Sequence, residues 1–261
     1  MRISDNNIPT TLIKMYYSFH SDDIVFDKMK KAFVSRYVLN ESKLEGVNET
    51  DIHGKEEING FRKMYEYIHS DAIDYMFNVF TLKDLHKALF SCTEYPECAG
   101  NFRNFDVYLP GTGTELAEWS MIYPRLNELD QKVQFLYSLA KELKDSDNVD
   151  DLLFYLDQCV ELKCHLIKVH PFADGNGRTI RGFINKLLED AGLPPIYIKA
   201  GERTEYHKAM NLANNEGDYT EIKNFYRYKV CDSIVELDIN NRLRKENKEQ
   251  GNSNSKEKVK K

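Results

Sequence analysis

Apolar residues along most of this chain return every three or four positions, the spacing that lines one face of an α-helix. Ile24, Val25, Met29, Phe33 and Tyr37 follow that spacing after the cap candidates Ser21 and Asp22, predicting a helix. Met64 to Phe80 is apolar and aromatic at the same spacing, and Thr81-Leu82-Lys83-Asp84 opens a further helix through Leu85, Ala88 and Leu89. Leu126, Leu129, Val133, Leu136, Ala140 and Leu143 predict a long amphipathic helix after Pro124. Val149 to Ile167 is apolar on more than one face, as a central buried helix would be. Pro171 pushes the residue before it out of the α region, so this helix is predicted to end near His170. The next begins near Arg178, with Ile180, Phe183, Ile184, Leu187 and Leu188 on one face. Ala191-Gly192 closes it, and Pro194-Pro195 forbids continuation.

One stretch breaks the rhythm. Asn101 to Gly113 carries β-formers that lead into Pro110-Gly111 turn chemistry, which predicts a small hairpin or flap. The expected fold is therefore all-α with one small β-hairpin. Three regions are expected: an N-terminal helical addition over 1–79, a core over 80–235, and a basic tail over 236–261.

Composition narrows the class. The 261 residues are 41% hydrophobic and 30% charged, as in a soluble globular protein. No apolar run approaches the length of a membrane span, and the first residues hold no signal-type apolar region. Five cysteines without a CxxC pair read as reduced thiols in a cytoplasmic protein, rather than as a zinc site. Net charge is −6, unevenly spread. Arg242 to Lys261 holds eight Lys/Arg and three Asp/Glu, a balance of +5, which leaves −11 on the remainder. An acidic body argues against nucleic acid as a partner, and the tail reads as solvated and disordered.

Chemistry concentrates between the two central helices. Gly175 and Gly177 flank Asn176, so the backbone there can take positive φ and approach a ligand closely. The loop runs into a helix N-terminus, where free N–H groups and the dipole favour an anion. Arg178 and Arg181, three residues apart, share one side of the first turn, and two guanidinium groups above an amide cradle suit a polyphosphate. Asp174 supplies a carboxylate of the kind Mg²⁺ on phosphate oxygens needs. His170 is placed to accept a proton near neutral pH. Taken singly, the histidine is a helix cap and the glycines a turn; their combination within twelve residues is what points to a phosphate site. No Gly-Lys-Ser/Thr follows, so this is not a Walker A loop.

His170-Pro171-Phe172-Ala173-Asp174-Gly175-Asn176-Gly177-Arg178-Thr179-Ile180-Arg181 matches position for position the pattern His-Pro-Phe-x-Asp/Glu-Gly-Asn-Gly-Arg-x-x-Arg, and the chain thereby resembles the Fic family. Gly100-Asn101-Phe102-Arg103 is similar to that family's segment before its flap, Leu85 to Leu89 to its upstream helix, and Tyr206 to Asp218 to the helix over its adenine. The resemblance implies a protein adenylyltransferase that uses ATP and Mg²⁺. His170 would be the base for a Ser, Thr or Tyr hydroxyl of a target protein, and Asp174 the metal ligand. Gly175, Asn176 and Gly177 would form the anion hole, while Arg178 and Arg181 would take the β- and γ-phosphates. His207, Met210 and Asn214 would face adenine, the other reading being an ordinary amphipathic helix. Val107, Tyr108 and Leu109 would dock an extended target segment by strand addition.

Asn40 to Gly46 resembles the family's inhibitory helix, Ser/Thr-x-x-x-Glu-Gly/Asn, in N-terminal placement. It implies that Glu45 pairs with Arg181 in the space of the γ-phosphate; a solvated glutamate beside a helix C-cap is the other reading. This chain departs from the pattern in carrying Glu41 four residues before Glu45, with Ser42 three before. Alternatives to adenylyl transfer are a Fic fold using UMP, phosphate or phosphocholine, one that removes AMP, and a toxin or nucleotide-sensing module. Automodification is expected, and the oligomeric state is open, a homodimer included.

Overall fold

The computed structural model describes residues 23–237 except Tyr75, Tyr95, Asp145 and Asp147; of residues 23–32 it describes the backbone alone. The cap candidates Ser21 and Asp22, the inward face expected of Ile24, Val25 and Met29, and the basic tail beyond Leu237 lie outside the described residues.

Helices dominate. They are α1 (Asp23–Leu44), α2 (Ile52–Ile68), the single turn α3 (Asp71–Asp74), α4 (Thr81–Phe90), α5 (Ile122–Leu143), α6 (Val149–Val169), α7 (Asn176–Asp190), α8 (Arg203–Glu216) and α9 over residues 220–237. α2 packs on α4, α5 on α6, and α6 on α7, with α7 also against α4, so α6 and α7 form the centre. The reason is compositional: Leu152, Tyr155, Leu156, Cys159, Val160, Leu162 and Leu166 are all buried on α6, on more than one face. On α7, Ile180, Phe183, Ile184, Leu187 and Leu188 are buried as the spacing predicts. Tyr155 ties the pair by donating to the Leu187 carbonyl at 3.0 Å.

Two expectations need correction. Met64 to Phe80 is not one helical run: α2 stops at Ile68, and helix resumes in earnest at Thr81. Side chains end it, because His69 Nδ1 bonds the Tyr65 carbonyl and Ser70 Oγ donates to the Tyr67 carbonyl, both at 2.8 Å. The hairpin over 101–113 is not formed either, since the described residues hold no strand. Its base is bridged by a side chain instead of a backbone ladder. Arg103 donates Nη1 to the Phe105 carbonyl at 2.8 Å and Nη2 to that of Ala117, while the Ala117 N–H donates to Lys168 at 2.9 Å.

A single cluster of buried apolar residues runs from Phe33 to Leu237, across the boundary drawn at residue 79. α1 contributes Phe33, Tyr37, Val38 and Leu44, all at 2% exposure or less. Among the described residues no helix is long and apolar enough to cross a membrane.

Candidate active site

α6 ends one residue before His170, which adopts φ 48° and ψ 60° and is the one described non-glycine residue with positive φ. A left-handed histidine is uncommon. Arg103, whose side chain is fully buried, holds it there: Nε donates to the His170 carbonyl at 2.8 Å and Nη2 to that of Val169 at 3.3 Å, while the Arg103 N–H donates to Pro171 at 2.9 Å. Burial lowers the pKa of His170 below its ordinary value, with Arg103 acting in the same sense; the Ile167 backbone, Asp174 and Glu45 oppose it. Nδ1 is buried and makes no hydrogen bond of good geometry. The ring is thus a neutral imidazole at pH 7, the form that accepts a proton.

The loop after it is fixed from inside. Asn176 Oδ1 accepts the Phe172 N–H at 2.9 Å and its Nδ2 donates to the Phe172 carbonyl at 2.8 Å. Its side chain therefore clasps the loop, and what it offers an anion is its backbone N–H. His86, on α4, accepts the Gly100 N–H on Nδ1 at 2.9 Å, so Nε2 carries the proton and donates to the Asp174 carbonyl at 3.0 Å. Its ring stacks on Phe172 with centroids 3.8 Å apart. This clamp leaves the Asp174 side chain 80% exposed.

Gly175 caps α7 at φ 70°, and a Cβ there would lie 2.5 Å from the Phe90 ring. The first rung of the α7 ladder is Thr179 N to Gly175 O at 3.0 Å. The N–H groups of Asn176, Gly177 and Arg178 precede it and form the free end of the helix. A Cβ on Gly177 would fall 2.6 Å from Glu45 and 2.8 Å from Arg181, so the glycine makes room for that pair.

Both motif arginines are buried and both meet carboxylates from the N-terminal helices. Arg178 pairs with Glu57 of α2, reaches Asp174 at 3.8 Å, and keeps Nε buried without a partner. Arg181 pairs through Nε with Glu41 and through Nη2 with Glu45 at 2.6 Å. Glu45 stands at the end of α1, set by the bonds Gly46 N to Lys43 O and Val47 N to Ser42 O around Gly46 at φ 82°. Burial opposes ionisation of Glu45, but Arg181, then Arg178 and His207, hold its pKa below the usual carboxylate range. Ser42 turns away and donates to the Val38 carbonyl at 2.8 Å.

The remaining expected residues lie to one side. His207 lies at the surface of α8 with its ring partly covered, and that partial burial, then Arg203, lowers its pKa. Met210 is buried, its sulfur accepting from Lys163 at 3.0 Å, so it faces the core. Asn214 is buried and its Oδ1 has no partner. A cavity of about 570 Å³ is lined by Arg203, Thr204, His207, Lys208, Asn211, Leu212, Asn215 and Glu216, none of them from the 170–181 motif. Over the flap, Tyr108 is 81% exposed while Val107 and Leu109 are half-buried. No group of three His, Cys, Asp or Glu able to hold a metal occurs among the described residues, so Asp174 would meet an ion as a single protein carboxylate. Sequence reasoning missed Glu57 and the clamping role of His86. It noted Glu41 as a departure from the pattern, without its partner.

A helical core that presents a histidine, an amide-lined turn and two arginines across one helix junction is the Fic architecture. Residues 76–188 match the family model described as Fic/DOC family, and that stretch is a Fic domain. It is 32% identical over 187 residues to "Protein adenylyltransferase Fic" of Drosophila mojavensis, an alignment covering 70% of this chain and 33% of that protein. The chain thus spans about a third of the length of the curated relatives it matches. Among solved structures, a Fic domain containing signaling protein from Bacteroides thetaiotaomicron superposes with a TM-score of 0.72 at 16% identity, covering 89% of this chain and 97% of that one. BepC from Bartonella tribocorum, with bound AMPPNP, gives 0.52 at 21% identity over 67% and 84%.

Proposed function

We propose that this chain is a protein adenylyltransferase that moves AMP from ATP to a hydroxyl of a target protein and is held off by Glu45. The observation that carries the reading is the convergence of neutral His170, the free N–H end of α7 and two buried arginines. His170 takes the proton of the attacking hydroxyl. The N–H groups of Asn176, Gly177 and Arg178 stabilise the charge on the phosphate under attack. Arg178, with its partnerless Nε, and Arg181 hold the leaving pyrophosphate. Asp174, exposed and anchored through its backbone by His86, would hold Mg²⁺, which when bound neutralises phosphate charge. Asn214 Oδ1, buried and without a partner, suits the exocyclic amine of adenine, and the AMPPNP bound to BepC is consistent with a triphosphate site. The open limbs of the flap, with Tyr108 outward, offer backbone to an extended target segment. Glu45 on Arg181 stands where the terminal phosphate belongs, a carboxylate competing with a phosphate for one guanidinium.

Mass spectrometry of the Glu45→Gly protein incubated with Mg-ATP tests the whole reading: one AMP gained on its own chain is the expected result. Adding His170→Ala should abolish that gain, a loss of at least about 10²-fold, while nucleotide binding persists. Gain of UMP from UTP instead would reassign the donor, and transfer at an unchanged rate without His170 would sink the mechanism.

A further inference from the structure

Glu41 occupies the position at which the inhibitory pattern has Ser or Thr, and its place in the fold is unlike that of Glu45. Its side chain is fully buried, whereas that of Glu45 is 35% exposed. One Glu41 oxygen accepts from Arg181 Nε, the other from the Ile198 N–H at 3.0 Å. It is therefore fastened on both sides, to α7 and to the segment after α7, inside the core that buries Tyr37, Val38 and Leu44 around it. Glu45 has one partner, at Nη2, and a way out to solvent. The guanidinium thus carries two carboxylates, one fixed and one displaceable.

Accepting the reading of Arg181 as the terminal-phosphate contact, we infer that Glu41 is a specificity-determining residue that weakens the preference of this site for a triphosphate over a diphosphate. Glu45 can leave; Glu41 stays. The pair left behind, Arg181 with Glu41, has no net charge. A terminal phosphate then gains hydrogen bonds from Nη1 and Nη2 but faces a fixed carboxylate across the same guanidinium. Among the described residues Arg181 is the one cation paired with Glu41: Arg178 has its own carboxylate in Glu57, the hydroxyls of Tyr37, Tyr206 and Tyr226 flank the pair, and the buried Lys163 ammonium sits against the Met210 sulfur and the Tyr206 and Tyr226 rings. In a buried site a full unit charge a few ångströms away is felt strongly. The β-phosphate, held at Arg178, does not meet Glu41.

The test compares Mg²⁺ complexes of AMPPNP and ADP by calorimetric titration into Glu45→Gly and into the double variant Glu41→Gln, Glu45→Gly. The Glu45→Gly protein should prefer the triphosphate by about threefold at most, and Glu41→Gln should raise that preference about tenfold by tightening AMPPNP alone. Added salt should shrink the gain. Glu41→Ser in the same background should act in the same direction, and serves if the Gln variant does not fold. An unchanged ratio overturns the inference, as does weaker AMPPNP binding with ADP held constant, which would make Glu41 a residue that positions Arg181. The underlying reading fails separately, if neither Glu45→Gly nor Arg181→Ala alters AMPPNP affinity relative to the wild-type chain.

Discussion

His86 has both ring nitrogens engaged, on the Gly100 N–H and the Asp174 carbonyl, and burial above all lowers its pKa to about 4. Its unfolded value is about 6.5, so between these two the unfolded chain binds the extra proton and stability falls as pH falls. Denaturant melts should show up to about 3 kcal/mol lost between pH 6.5 and 4 from this ring. His86→Phe should flatten that slope while being less stable at pH 7. His170 follows the same sign through activity: its lowered pKa places the acid limb of transfer by the Glu45→Gly protein below pH 6.5, read from a pH–rate profile. At this scale the sequence placed His170, Asp174, Arg178 and Arg181 in one candidate site, because twelve contiguous residues carry them. It could not disclose Glu57 or the burial of Glu41, since a carboxylate 121 or 140 residues from its arginine leaves no local signal.

Element boundaries were legible where backbone chemistry sets them. Pro171 after His170 ended α6 as expected, and Gly175 at positive φ started α7 two residues ahead of the expected Arg178. Gly175→Ala should lower stability by about 2 kcal/mol or more in urea unfolding, from left-handed strain plus contact with Phe90. Combining it with Phe90→Leu should recover part of the loss, the steric part. The flap was misread because β-propensity reports a side chain's fit to a pleated surface and not whether a partner strand exists. Here Arg103 takes the carbonyls at the flap's base, and a lone two-stranded hairpin has little stability of its own. Met64 to Phe80 failed for a different reason: the bonds of His69 and Ser70 to α2 carbonyls override an unbroken apolar spacing.

Over the whole molecule, the all-helical class followed from periodicity, while the intimacy between the N-terminal helices and the core did not. Each of Phe33, Tyr37, Val38 and Leu44 buries an apolar side chain worth about 1.5–3 kcal/mol, a sum comparable with the total stability of an ordinary domain. A chain lacking residues 1–46 should therefore lose its cooperative thermal transition by circular dichroism, whereas Glu45→Gly, which leaves Arg181 paired with Glu41, should keep that transition and shift it by about 4 °C at most. Activation by removing a carboxylate and activation by removing a helix are different experiments.

The placement of Glu41 and Glu45 on the helix that completes the core has a temporal consequence. The same helix that buries Phe33, Tyr37, Val38 and Leu44 in the core carries both carboxylates that meet Arg181, so the native packing of α1 and the pairing of Arg181 come together. On the proposed function, a newly folded molecule has no interval in which it is competent but unrestrained. On that proposal folding and silencing are one event, and every active molecule has first passed through the inactive one.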